Sequence, residues 1–217
     1  MEKHLWQQGF VRIGGIDEAG RGPLAGPVVA AVAVFDKDFA LDEVALSLKA
    51  INDSKRMCRK LRESSFIYLA ECDNVEIAAG LADVDEIGRL NILQATFLAM
   101  KRAVAALDSP PDYAIVDGNK CPDLPCPGSC VPGGDGISLS VAASSIVAKV
   151  LRDSLMIELD KQYPGYGFAS HKGYASRRHM QALFEMGPAK IHRKSFRPVR
   201  EAAIIKQIRH EDENGKS

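Results

Sequence analysis

Asp17 and Glu18 are adjacent carboxylates, and Gly20-Arg21-Gly22 follows one residue later. Carboxylates select hard cations such as Mg2+ or Mn2+. Glycine N–H groups bare of side-chain cover, with an arginine between them, offer a place for a phosphate or a sugar. Neighbouring side chains of a strand point to opposite faces, so the two acids serve one site only if the chain bends there, and Gly20 and Gly22 permit a bend. A surface turn with two solvated acids is the alternative for so short a pattern. Asp117 closes the apolar run Tyr113-Ala114-Ile115-Val116, and an acid at the C-terminal end of a buried strand is poorly explained as structure alone. Asp135 stands among glycines in Gly133-Gly134-Asp135-Gly136, where it is either a fourth acid of the site or a turn residue. Phosphodiester hydrolysis by two metal ions about 3.5–4 Å apart needs carboxylates of this kind converging on one point.

Those acids require strands ending at a common edge. Val11 to Ile16 reads as a strand leading into Asp17, and Val28 to Phe35, β-branched and almost wholly apolar, as a strand buried on both faces. Val75 to Leu81 alternates as a strand with one exposed side, and Tyr113 to Val116 delivers Asp117. Helical spacing covers Met57 to Glu71, Asn91 to Leu107, and the stretch from Ser138 or Ser140 to Asp160. Asp53 or Ser54 caps the first of these, and Asp83 and Asp85 read as caps and first-turn acids. Asp36 to Glu43 is polar and turn-like, and Cys121 to Gly136 is a loop rich in proline and glycine. Ser176 caps a helix that stops at Gly187-Pro188, and Glu201 to Arg209 carries a further helical pattern. Strands with acids at their ends, mixed with helices, make an α/β fold.

Length suits one domain over residues 1–217, with 170–210 as a basic helical extension and 211–217 as a polar, disordered tail. Lys+Arg and Asp+Glu balance at 28 each, so bulk charge gives no argument for nucleic acid. Distribution does: Lys172, Arg177, Arg178, Arg193, Lys194 and Arg197 fall in a segment with few acids, which is either a phosphate-binding face or a solvated helix surface. No apolar run approaches the roughly 20 residues of a membrane span, and the first residues lack a signal-peptide layout. The reading is a cytoplasmic protein without membrane attachment. Cys121, Cys126 and Cys130 are spaced C-x4-C-x3-C with no fourth ligand nearby. They read as incidental thiols, reduced in that compartment, with a structural zinc as the alternative.

The run Gly14 to Pro27 resembles the signature of type 2 ribonuclease H, the ribonuclease HII family. The resemblance continues through Asn52-Asp53-Ser54-Lys55, Asn91 to Thr96, Val116 to Asn119, Ser145 to Val150 with Arg152-Asp153, Tyr166-Gly167-Phe168, His171 to Tyr174 and His192 to Phe196. It covers the chain from about Ile13 to Val199. It implies a ribonuclease H-like mixed sheet flanked by helices, with a helical C-terminal extension. The implied enzyme is a metal-dependent endonuclease acting on RNA–DNA hybrids and on ribonucleotides embedded in duplex DNA. It would cut on the 5′ side of the ribonucleotide and leave 3′-hydroxyl and 5′-phosphate ends. Asp17, Glu18, Asp117 and Asp135 match the family's four acids and would be both catalytic and metal-binding, with Mn2+ or Mg2+, two ions during catalysis. Gly20, Arg21 and Gly22 would read the 2′-hydroxyl through backbone groups, with Arg21 on an adjacent phosphate. Tyr174 would stack on the nucleotide 3′ to the ribose. Lys55, Lys172, Arg193 and Lys194 would hold the nucleic-acid backbone, and the protein would act as a monomer. One departure is Gly133, where the family commonly has lysine, so a phosphate contact or a charge partner for Asp135 would be missing. Two other classes compete: a nucleic-acid-binding module that has lost catalysis, and an ATPase of related fold, although no Gly-x4-Gly-Lys-Ser/Thr loop is present.

Overall fold

The computed structural model describes residues 1–41 and 57–214. Five strands form one sheet: β1 (Ile13–Ala19), β2 (Val28–Phe35), β3 (Val75–Ala82), β4 (Tyr113–Asp117) and β5 (Gly128–Val131). Their order is β3-β2-β1-β4-β5, with β1, β2 and β3 antiparallel in turn and β1, β4 and β5 parallel. The described helices are α1 (Glu2–Gln7), α2 (Lys37–Leu41), α3 (Arg59–Glu71), α4 (Val84–Ala105), α5 (Leu139–Gln162), α6 (Phe168–His171), α7 (Arg177–Met186) and α8 (Arg197–Asn214). The expected mixed α/β fold is the observed one.

Contacts divide the chain into two compact units. The first holds Met1–Ala19, Val28–Ala82 and Thr96–Leu151, and hence the whole sheet. Its core is built on β2, buried along all 8 residues because Val and Ala pack both faces. Ile13, Phe35, Ile115, Val141, Ile146 and Val147 belong to the same cluster. The second unit gathers Gly20–Pro27, Asp83–Ala95 and Arg152–Ser217. Its apolar clusters are Met156, Tyr166 and Phe168 around Ala25, and Leu24 with Leu183, Val199 and Ala202.

Several boundaries differ from the sequence reading, each for a local reason. β1 does not bend at the acids: pairing with β2 continues through Asp17↔Ala31, Glu18↔Ala30 and Ala19↔Val29, and the turn comes at Gly20, with φ +99°. Asn91 begins a helix as expected, but another helical turn precedes it, so α4 contains a break at Asn91 (φ 66°, ψ 164°). The Asn91 side chain accepts the N–H groups of Leu93 at 3.0 Å and Gln94 at 3.2 Å, an N-cap inside a continuous element. Asp83 and Glu86 cap one another through their backbone N–H groups, at 3.0 and 2.8 Å. The expected loop from Cys121 to Gly136 contains β5, too short at 4 residues to show a period. Lys37–Leu41 is helical rather than turn-like, and α8 runs to Asn214, into the stretch read as a disordered tail. Ser176 caps α7 as expected, accepting His179 N–H at 3.2 Å.

The cysteine reading needs correction. Cys121 and Cys130 form a disulfide, their Cα atoms 5.5 Å apart, because β5 returns alongside β4 and brings the two ends of the loop together. Cys126 stays a free, half-buried thiol, which removes the three-thiol set that a zinc site would have used.

One carboxylate outside the acid set fastens the N-terminus to the start of α5. Glu2 is buried, and its Oε1 accepts from Ser138 Oγ at 2.7 Å, Ser140 N at 2.9 Å and Ser140 Oγ at 3.1 Å. Burial alone would raise its carboxyl, but the Ser140 N–H and the Ser138 hydroxyl hold it below its ordinary value. A depressed carboxylate contributes stability that is present above the unfolded pKa and lost as pH falls through the folded one. Glu2→Gln should therefore cost about 2 kcal/mol at pH 7. Thermal unfolding of both proteins would show a gap of roughly 4–8 °C at pH 7 that narrows as the pH falls below the ordinary carboxylate range. A gap that does not narrow would mean that packing, not charge, holds the segment.

Candidate active site

The sheet brings acids from three segments of the first unit together. Asp17 and Glu18 lie near the end of β1, Asp117 is the last residue of β4, and Asp135 occupies a single 3-10 turn, Gly134–Gly136, just after β5. β1 and β4 run parallel in register up to Ile16↔Val116, so Asp17 and Asp117 leave adjacent strands at the same level. Asp117 Oδ1 accepts the Gly134 N–H at 2.9 Å, which ties the turn carrying Asp135 to the end of β4.

Asp17 is the most constrained of the four. It is 2% exposed, and its Oδ1 accepts the Glu18 N–H at 2.7 Å. Its Oδ2 is buried without a hydrogen-bond partner among the described residues. Burial first, then the Glu18 charge, with a smaller push from Asp117, raise its carboxyl to about 7, against the pull of the Ser145 hydroxyl. Ser145, on α5, falls in the block Ser145 to Val150 of the resemblance but carried no expected role in the site. Its contact with Asp17 spans more than a hundred residues, and no local pattern signals it.

A buried carboxylate oxygen left unpaired is costly unless something else satisfies it. A hard divalent cation is the partner that the donor set fits, since every candidate ligand is a carboxylate oxygen. The side chains are grouped but not drawn to one point: among the described residues no three His, Cys, Asp or Glu side chains stand where one ion could take them all.

In the second unit, Gly20 to Pro27 forms a loop whose oxygens are held from below. Arg21 and Gly22 are exposed, while Gly20 and Pro23 are buried. A Cβ on Gly22 would sit 3.6 Å from Tyr174 Cε1, so this glycine and the tyrosine ring share one surface. Tyr174 is 46% exposed, which favours the reading as a stacking platform over that as a core tyrosine. Its main chain is held by a buried histidine pair. Ala189 N–H donates to His192 Nδ1 at 2.9 Å, so the His192 proton sits on Nε2 and bonds to His179 Nε2 at 3.1 Å. His179 Nδ1 in turn donates to the Tyr174 carbonyl at 2.8 Å. Burial, and then the neighbouring His179, hold His192 down at about 4, so the relay stays neutral at physiological pH.

The expected backbone-holding cations divide. Lys194 is exposed, as a phosphate contact requires. Lys172 is half-buried in a left-handed turn (φ 52°), with its ammonium on the Ala169 carbonyl. Arg193 corrects the sequence reading: it is 1% exposed and its guanidinium bonds to main-chain oxygens of the glycine loop, so it does not reach a nucleic-acid backbone. Arg152 is equally buried and bonds to carbonyls in the same way. Lys55 and its neighbouring cap lie outside the described residues. Gly133, the departure from the family pattern, is exposed at φ +71° with open space where a side chain would stand.

The ribonuclease HII family model matches residues 14–199. The chain belongs to the ribonuclease HII family. Ribonuclease HII enzymes are endonucleases that cleave RNA in RNA–DNA hybrids and at embedded ribonucleotides. The chain is 53% identical to ribonuclease HII of Rhodospirillum rubrum over 88% of its length and 86% of that protein. It is 49% identical to ribonuclease HII of Myxococcus xanthus over 93% of its length, though it spans only 66% of that longer protein. Among solved structures, ribonuclease H2 from Pyrococcus horikoshii superposes with a TM-score of 0.74 at 25% identity, covering 91% of this chain and 99% of that one. Among the described residues no helix is long and apolar enough to cross a membrane.

Proposed function

We propose that the acids Asp17, Glu18, Asp117 and Asp135 cut the strand on the 5′ side of a ribonucleotide, leaving 3′-hydroxyl and 5′-phosphate ends. The observation that carries this reading is the buried Asp17 oxygen without a partner, at the meeting of β1 and β4. The four acids would hold Mg2+ or Mn2+, and two such ions would supply an activated water and charge to stabilise the leaving oxygen. With its carboxyl near 7, Asp17 would be only partly ionised at neutral pH, and a bound cation would favour the ionised form.

Gly20, Arg21 and Gly22 follow the acids after one intervening residue, and they read the 2′-hydroxyl, the group that separates ribo- from deoxyribonucleotide. Arg21, exposed and planar, takes the adjoining phosphate. Tyr174 stacks on the nucleotide 3′ to the ribose, and Lys194, Lys172 and Lys55 track the phosphates. We place this activity in the cytoplasm, in a monomer without a membrane partner. Size-exclusion chromatography at assay concentration tests the oligomeric part of that statement.

The reaction is tested with an end-labelled DNA duplex carrying one ribonucleotide, incubated with Mg2+, Mn2+ or EDTA. A single cation-dependent cut immediately 5′ to the ribonucleotide is expected. Cleavage confined to long RNA–DNA hybrids would leave the acid site standing and remove the roles of Gly20 to Gly22 and Tyr174. Binding without cleavage of either substrate would favour a nucleic-acid-binding module instead.

A further inference from the structure

Arg193 and Arg152 are each 1% exposed, and their guanidinium groups bond to main-chain oxygens. Arg193 Nη2 donates to Gly20 O at 2.6 Å, Nη1 to Arg21 O at 2.8 Å, and Nε to Gly26 O at 3.0 Å. Arg152 holds Pro27 O at 3.0 Å, Ala25 O at 3.2 Å and Lys172 O at 3.0 Å. Burying two guanidinium charges side by side is unfavourable, and neither is exposed for a duplex to touch. Their partners are the two segments that the reading above gives to the ribonucleotide: the glycine loop and the turn leading to Tyr174.

Peptide geometry turns these bonds into a statement about donors. In a trans peptide the C=O of one residue and the N–H of the next lie in one plane and point in opposite directions. No cis peptide occurs among the described residues. Fastening the Gly20 and Arg21 carbonyls to one guanidinium therefore turns the N–H groups of Arg21 and Gly22 away from it. Each of those peptides is also polarised by the cation on its oxygen, which strengthens its N–H as a donor. The loop has no slack to escape this: a Cβ on Gly20 would lie 1.9 Å from Arg152 Nε.

We propose that Arg193 is a positioning residue for ribose recognition, aiming the consecutive N–H groups of Arg21 and Gly22 at the ribonucleotide, with Arg152 backing the loop. The proposal rests on the reading that this loop takes the ribonucleotide. A lysine keeps the charge but offers one compact head where the guanidinium spans several carbonyls, so it cannot fix two peptide planes together.

The test is binding to a DNA duplex with one ribonucleotide and to the same duplex in all-DNA form, in an Asp17→Asn background that does not cut. The Asp17→Asn protein should prefer the ribonucleotide duplex. Adding Arg193→Lys should reduce that preference about tenfold while affinity for the all-DNA duplex stays within about twofold. A merely structural defect would lower both affinities together and leave the ratio alone, which would overturn the proposal. No preference in the parent protein would instead sink the reading on which the proposal rests. If Arg193→Lys does not fold, amide resonances of the parent protein decide. Those of Arg21 and Gly22 should shift with the ribonucleotide duplex and not with the all-DNA duplex, and equal response to both would overturn the proposal.

Discussion

Asp17→Asn should lower cleavage by roughly a thousandfold or more and yet raise the melting temperature of the chelated protein at pH 8. Both effects come from one buried carboxyl. Its folded value, about 7, lies above the ordinary 3.8, so the folded state holds the proton more tightly than the unfolded chain does. Stability is therefore undiminished below about pH 4, declines as pH rises towards 7, and stays reduced beyond it. Asparagine has no such proton to lose. A shift of this size corresponds to on the order of 4 kcal/mol, enough to separate the two proteins by roughly 8 °C or more at pH 8 in EDTA. The gap should vanish by pH 4. Adding Mg2+ or Mn2+ should then reverse the order, because a ligand that binds only the ionised site stabilises only the protein that has it. Equal melting temperatures at pH 8 in EDTA would mean that Asp17 is not strained by burial. Cleavage by Asp17→Asn at the parent rate would remove it from the active site.

Gly15→Ala should be the most damaging single methyl in the sheet. A Cβ at Gly15 would lie 2.2 Å from Ser140 C and 2.3 Å from Val141 N, both main-chain atoms of α5. Main chain cannot swing aside as a side chain can, so the first turn of α5 would have to lift from β1. That movement would also strain the bonds from Glu2 to Ser138 and Ser140 and shift Ser145 away from Asp17. The expected cost is about 3 kcal/mol or more, seen as a fall of roughly 6–12 °C in melting temperature, with activity falling further than stability. Gly14→Ala provides the control. Its Cβ would meet only side chains, Pro111 and Val32, at 3.2–3.3 Å, and about 1 kcal/mol is expected. Comparable losses from both substitutions would show that the sheet resists any added methyl there, rather than contact with α5 in particular.

What the sequence made legible was what local pattern encodes. Val28 to Phe35 announces a strand buried on both faces, Ser176 a helix cap, and Asp117 an acid delivered at a strand end, and each lies where its neighbours dictate. The four acids were singled out because a long motif carried them. What stayed hidden depends on partners distant in sequence. Arg193 and Arg152 look like surface cations until the carbonyls that bury them are in view. Glu2 looks like a polar end until Ser138 arrives from the far half of the chain. β5 and the Cys121–Cys130 bridge exist because a parallel edge was available beside β4, which composition within the loop does not reveal. The continuation of β1 through Glu18 has the same origin: β2 supplies a ladder that outweighs the glycines' freedom to turn.

The clamp on the glycine loop also sets an order of events during synthesis. Gly20 and the arginine that holds its carbonyl are 173 residues apart. At about 5–20 residues per second, the loop is translated roughly 9–35 s before its clamp. The sheet's first hairpin, β1 with β2, needs no late residue to pair. The strand carrying Asp17 and Glu18 can thus form early, while the glycine loop, the proposed ribose reader, waits for Arg193. A nascent or prematurely terminated chain ending before Arg193 would carry acids without a set ribose reader, and selectivity would be the final property the protein acquires.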